Sequence, residues 1–181
     1  MLKIALTGHR PNKLAGYKTN PVATYIYRWI AIQLVKLLKE NEKIECISGM
    51  ALGCDTIFAA VTMLLKQKYP DDVKLTVALP YEDHGSNWPD VSKKYHDKIV
   101  KSADTIELVC SGSYSNWKLL KRDEWMVDHC DVLLAIWNGK KDGGTWHTIK
   151  YAQSKNKPII FINEKKLNSF VDVANKIEES K

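Results

Sequence analysis

The sequence predicts an α/β protein, a three-layer α/β/α sandwich around a mostly parallel sheet of about six strands. Three observations carry this expectation. Short apolar runs alternate with longer amphipathic stretches from end to end, the form that repeated strand–helix units take. The runs Val132–Trp137 and Ile159–Ile162 are continuously hydrophobic, as strands covered by helices on both faces must be. Several runs end in glycine-bearing turns that open directly into a helical pattern.

Taken in order, strands are expected near Lys3–Thr7, Ile44–Ser48, Lys74–Leu79, Thr105–Val109, Val132–Trp137 and Pro158–Ile162. Between the first two, Val22, Ile26, Ile30, Leu34 and Leu38 recur every fourth residue and form one apolar stripe, with Pro21 suited to the first helical turn. A second helix is expected from about Leu52 to Lys68, with Ile57, Val61, Leu64 and Leu65 on a compatible face and Pro70 as a stop signal. Further helices are expected over Val91–Lys101, Asn116–Asp128, Thr145–Lys155 and from Asn168 to the C-terminus.

With 181 residues, 45% of them hydrophobic, the chain can bury one sizeable core, so one domain spanning residues 1–181 is expected. No run approaches the ~18 consecutive apolar residues of a membrane span, and the opening Met1–Gly8 turns polar too early for a signal peptide. A cytoplasmic protein with no membrane partner is the expectation. Cys46, Cys54, Cys110 and Cys130 are far apart and form no C-x-x-C pair, which argues for reduced, mostly buried thiols and against a metal site. The formal charge of +6 is spread among 21 acidic residues with no basic run longer than two, which counts against nucleic acid as a partner. No cofactor is expected, and a homo-oligomer is compatible with the sequence.

In parallel α/β folds the ligand crevice lies beyond the carboxyl ends of the strands, which narrows the chemistry to four turns. In the turn after the first strand, Thr7-Gly8-His9-Arg10-Pro11, Gly8 permits close approach and Arg10 offers a planar fork for phosphate or carboxylate. His9 is either a proton donor and acceptor there or an incidental loop residue. In Ser48-Gly49-Met50-Ala51-Leu52-Gly53-Cys54-Asp55, Gly49 and Gly53 let the backbone turn, and the N–H groups of the following helical turn suit a phosphate. Ser48 opens this turn, and Asp55 either accepts hydrogen bonds from a ribose or complements the helix start. In the third turn, Pro80-Tyr81-Glu82, Tyr81 or the later Trp88 can stack on a base, and Glu82 can bind sugar hydroxyls or act as a general base. A proline-led polar loop is equally a surface turn. In the fourth, Gly143 and Gly144 free the backbone while Thr145 can cap the next helix and donate its hydroxyl to a phosphate or ribose. No turn matches G-x-G-x-x-G or G-x-x-x-x-G-K-[ST].

Together, Thr7–Pro11, Ser48–Asp55, Ala78–Glu82, Trp125–Asp128 and Gly143–Thr145, in this order over roughly residues 1–163, resemble the YpsA-type branch of the SLOG superfamily. The resemblance implies a Rossmann-like fold and a site for a nucleotide or nucleotide-derived ligand, serving a sensor or ligand-binding protein. The alternative it implies is a nucleoside or nucleotide N-glycosidase, like the LOG phosphoribohydrolases and nucleoside deoxyribosyltransferases. Their glutamate stands three residues beyond a Gly-Thr pair, where this chain has Thr148. A threonine provides no carboxylate, so glycosidic cleavage needs another acid, such as Glu82, Glu124 or Asp128.

Overall fold

A computed structural model describes residues 1–16 and 20–179. The chain runs β1 (Leu2–Gly8), a short 3-10 turn (Pro11–Lys13), α1 (Pro21–Asn41), β2 (Ile44–Ser48), α2 (Cys54–Lys68) and β3 (Val73–Leu79). It continues through α3 (Asp90–Ser102), β4 (Thr105–Leu108), α4 (Asn116–His129), β5 (Val132–Ile136), α5 (Gly143–Ser154), β6 (Ile159–Phe161) and α6 (Glu164–Glu179). The six strands form one sheet in the order β4-β3-β2-β1-β5-β6. Every pairing is parallel, so the mostly parallel sheet expected from the sequence is wholly parallel.

Each element follows from local chemistry. Asn20 caps α1 by accepting a hydrogen bond from the Ala23 amide at 2.9 Å, and Pro21 occupies the first helical position. The α1 stripe is fully buried at Val22, Ile26, Ile30 and Leu34. On β1 the alternation of side chains splits the core. Ile4 and Leu6 join Ile30, Leu34, Phe58 and Leu167 from α1, α2 and α6. Ala5 faces Met126 and Val127 of α4 and Ala152 of α5, where its small side chain admits close helix packing. The sheet is thus covered on both faces, except at the edge strand β4, whose four residues are all exposed.

Three helix starts differ from the sequence expectation by two residues or more, and two of them have a local cause. Helix α2 begins at Cys54 rather than Leu52 because Gly53 takes φ 99° and ψ −121°, a conformation closed to other residues. Helix α5 begins two residues early, at Gly143. Helix α6 begins at Glu164, four residues before the expected Asn168, because the Asn163 side chain accepts from the Lys166 amide at 2.9 Å and caps it. The last residues of the expected C-terminal helix, 180 and 181, lie outside the described ones.

Cys46, Cys54 and Cys130 are buried free thiols, as expected, and burial pushes the Cys46 thiol up to about 12. Among the described residues no helix is long and apolar enough to cross a membrane.

The chain winds outward from β1 through β2, β3 and β4, then returns to lay β5 on the other side of β1. The connections leaving β1 and β5 diverge there and open a crevice above the paired residues Gly8 and Ile136. Phe58, fully buried in the α1–α2–α6 layer, is expected to cost about 3–5 kcal/mol of stability when changed to alanine. The exposed Ile32→Ala is expected to change stability by no more than about 0.5 kcal/mol. Urea denaturation of both variants checks the assignment of core and surface.

Candidate functional site

The crevice holds a cavity of about 610 Å³. Thr7, Gly8, His9 and Arg10 line it from β1 and the turn after it, Gly143, Gly144 and Thr145 from the start of α5, and Asp55 from α2. The first and fourth predicted turns therefore meet in space.

At its floor, Gly8 has no room for a side chain: a Cβ there would stand 2.5 Å from Cys54 Cβ and 3.2 Å from Ile136 Cβ. His9 is buried and spans the two strand ends. Its Nε2 accepts from the Asn138 backbone N–H at 3.2 Å, and its Nδ1 lies 3.3 Å from Thr145 Oγ1. Burial lowers its pKa, outweighing the opposing pull of the Asn138 side chain, with Lys13 adding to the depression. The imidazole is therefore neutral. Since Nε2 accepts, Nδ1 carries the proton and donates to Thr145, which leaves the Thr145 hydroxyl hydrogen to point elsewhere. His9 acts as a brace that sets the polarity of Thr145.

The N-terminus of α5 is uncapped by side chains. Asp142 occupies the cap position in extended conformation, but its carboxylate is drawn away to Lys13 Nζ at 2.5 Å. The amides of Gly143, Gly144 and Thr145 belong to the first helical turn and have no intrahelical acceptor. A Cβ on Gly144 would meet nothing closer than Asp123 Oδ2 at 3.8 Å, so the space over this turn is open. Arg10 stands exposed at the mouth.

The second predicted turn is organised differently from the phosphate loop expected of it. Ser48 Oγ donates to the Asp55 carbonyl at 2.9 Å and accepts from the Met50 amide at 3.2 Å. Asp55 Oδ2 accepts from the Ala51 amide at 3.3 Å. Gly53 packs against Pro11, where a Cβ would lie 2.9 Å from Cδ. Above Gly49 lies the guanidinium of Arg122 from α4, donating to the Gly49 carbonyl; a Cβ on Gly49 would overlap it. Ser48, Gly49 and Gly53 therefore do not line the cavity, and Arg122 takes the position the sequence reading gave to a ligand.

Arg122 is a residue that the sequence reading missed. It is 3% exposed, with Nε 2.8 Å from Asp123 Oδ1 and Nη1 3.9 Å from Asp55 Oδ2. Burial raises Asp55 to about 6 against the pull of Arg122, with the Asp123 charge adding to the rise. Burial likewise raises Asp123, opposed by Arg122 and by a hydrogen bond from Thr148. A signal was present in the sequence: Arg122 and Asp123 sit one turn before Met126 and Val127 on the sheet-facing stripe of α4, where charge needs a partner.

The third turn lies apart. Pro80 is buried, Glu82 is exposed and lines no cavity with the others, and Tyr81 contributes to a neighbouring cavity of about 290 Å³. None of the acids weighed for glycosidic cleavage, Glu82, Glu124 and Asp128, lines the main cavity. Glu124 contacts His147 Nε2 at 3.2 Å, and Asp128 accepts from Tyr151 Oη at 3.0 Å. Asp55 and Asp123 line it instead. Thr148 is buried and donates to the Gly144 carbonyl at 2.9 Å.

A wholly parallel sheet with helices on both faces and a cavity at its switch point defines a Rossmann-like α/β ligand-binding architecture. The family model described as the YspA SLOG family matches residues 4–167, and the chain belongs to that family. A UPF0398 protein of Bacillus pumilus is 29% identical over 93% of this chain and 91% of its own length. A UPF0398 protein of Halalkalibacterium halodurans is 30% identical over 86% of this chain and 82% of its own. Among solved structures, the DNA processing protein A of Helicobacter pylori shares the fold, with TM-score 0.60 and 18% identity over 97% of this chain and 80% of that one.

That neighbour is described as binding single-stranded DNA, which overturns the expectation against nucleic acid as a partner. Scattered charge was the wrong criterion, since amides and a few cations in a crevice hold phosphate without a basic stripe.

The buried acid yields a pH test. With Asp55 raised from 3.8 to about 6, the folded state holds a proton that the unfolded chain releases between about pH 4 and pH 6. Asp55 therefore contributes stability that is fully present below about pH 4 and lost as pH rises through about 6. Asp55→Asn removes this titration. The melting temperature of the variant minus that of the parent is expected to increase from about pH 4 to about pH 7. A difference that stays flat or shrinks contradicts the assignment.

Proposed function

We propose that the protein binds a nucleotide or nucleotide-derived ligand in the crevice between β1 and β5, as a sensor or ligand-binding protein. The supporting observation is the open first turn of α5, whose amides and Thr145 hydroxyl face a cavity shared with Arg10. Oriented N–H groups and the helix dipole favour an anion, and the neutral His9 directs Thr145 as a donor. Phosphate at this turn places a ribose toward Asp55 and Asp123, whose carboxylates accept hydroxyl hydrogen bonds. The nucleotide units of a single strand present the same chemistry, in keeping with the fold shared with the DNA processing protein.

Calorimetry with ribose 5-phosphate and nucleoside 5′-monophosphates tests this reading. Gly144→Val places a side chain in the open space above the turn and is expected to abolish binding with the melting temperature little changed. Arg10→Lys keeps the charge but loses the fork, and is expected to weaken binding by about 1 kcal/mol or more. Unchanged affinity in both variants removes the crevice from the site.

The N-glycosidase reading now rests on Asp123, the carboxylate that reaches the cavity beside Thr148. Arg122 Nε holds Asp123 Oδ1 at 2.8 Å and balances its charge. Incubation with nucleoside monophosphates or deoxynucleosides is therefore expected to release no free base above background. Release that is lost in Asp123→Asn establishes a hydrolase in place of the sensor.

A further inference from the structure

We infer that the smaller cavity beside the crevice is a nucleobase subsite, so that one ligand spans both: its anionic end at α5 and a planar heteroaromatic ring among Tyr81, Trp88 and Tyr114. This rests on the phosphate reading above and extends it to the other end of the ligand.

The two cavities are contiguous, because Arg10, Tyr114 and Leu119 line both. The smaller one is built by the loop after β3 and the loop before α4. The first is fixed by hydrogen bonds from the His84 amide to Tyr81 O at 3.3 Å and from the Trp88 amide to Gly85 O at 3.1 Å. The second is held by Lys118, whose Nζ donates to Ser111 O and Ser113 O at 2.6 Å each. The result is a cage of rings meeting edge to face. Tyr81 contacts His84 at 5.3 Å and Tyr114 at 5.6 Å, and His84 contacts Trp88 at 5.0 Å. Tyr81 is buried as the inner wall, while Tyr114, 60% exposed, offers an uncovered ring at the mouth.

Polar demand is also unmet there. His84 Nδ1 and His96 Nε2 are buried with no hydrogen-bond partner, a state that leaves an imidazole nitrogen undersatisfied. His96 Nδ1 is engaged by Asp97 Oδ1 at 3.1 Å, so its Nε2 presents a lone pair. The surroundings choose among ligands. Burial pushes the pKa of His84 down to about 3, with Arg122, His96 and Arg10 adding to the depression, so the His84 ring is neutral. A neutral aromatic ring bearing its own donors and acceptors suits the cage, and Ser86 and Asn87 on its wall add polar groups for the ring edge.

Calorimetry on the full chain compares ribose 5-phosphate, which reaches only the crevice, with adenosine 5′-monophosphate, which reaches both cavities. The monophosphate is expected to bind at least about tenfold more tightly, the scale of one stacked base. Trp88→Ala, which lines only the smaller cavity, is expected to reduce that advantage severalfold while leaving ribose 5-phosphate affinity unchanged, and Tyr114→Ala, at an exposed position that leaves folding intact, is expected to reduce the advantage severalfold as well. Equal binding of the two compounds by the parent protein overturns the base subsite and leaves the phosphate reading standing. An advantage that survives both substitutions overturns it as well. Failure of both compounds to bind overturns the phosphate reading and this one with it.

Discussion

The site depends on one buried guanidinium. Arg122 reaches from α4 across the sheet edge to the turn between β2 and α2, where it meets the Gly49 carbonyl, Asp55 and Asp123. Taking a cation out of water costs several kcal/mol, and only partners of this kind offset it. Those partners are themselves buried: without Arg122 the two carboxylates would face each other across a dry floor. The arrangement ties together helices on opposite faces of the sheet, and it explains why the glycine turn after β2 is closed. A loop that elsewhere would suit a phosphate is here filled by a side chain of the same protein.

The open helix start lies instead at α5. The carboxylate at its cap position is diverted to Lys13, and the first-turn amides stay available. Cations and anions are nearly balanced around the crevice, with Arg10, Lys13 and Arg122 against Asp55, Asp123 and Asp142. In the proposed site, selectivity comes from where donors point more than from net charge. His9 illustrates the same economy. Its lowered pKa keeps it neutral, and the Asn138 amide fixes its tautomer, so a residue left open from sequence between proton donor or acceptor and incidental loop residue serves to orient a hydroxyl.

The sequence by itself determined the elements and their class. Six apolar runs became six strands, and the every-fourth-residue stripe of α1 became a buried helix face, because periodicity reports burial directly. It also placed Thr7–Arg10 and Gly143–Thr145 at carboxyl ends of parallel strands, on one side of the sheet, while the adjacency of β1 and β5 came from the sheet order. The tertiary structure alone decided which turn is open and which is filled. Arg122 lies 73 residues from Gly49 in the chain, and the Lys13–Asp142 pair joins positions 129 apart. Such long-range pairs leave no local pattern, because the energy of a buried charge depends on partners that only folding brings within reach.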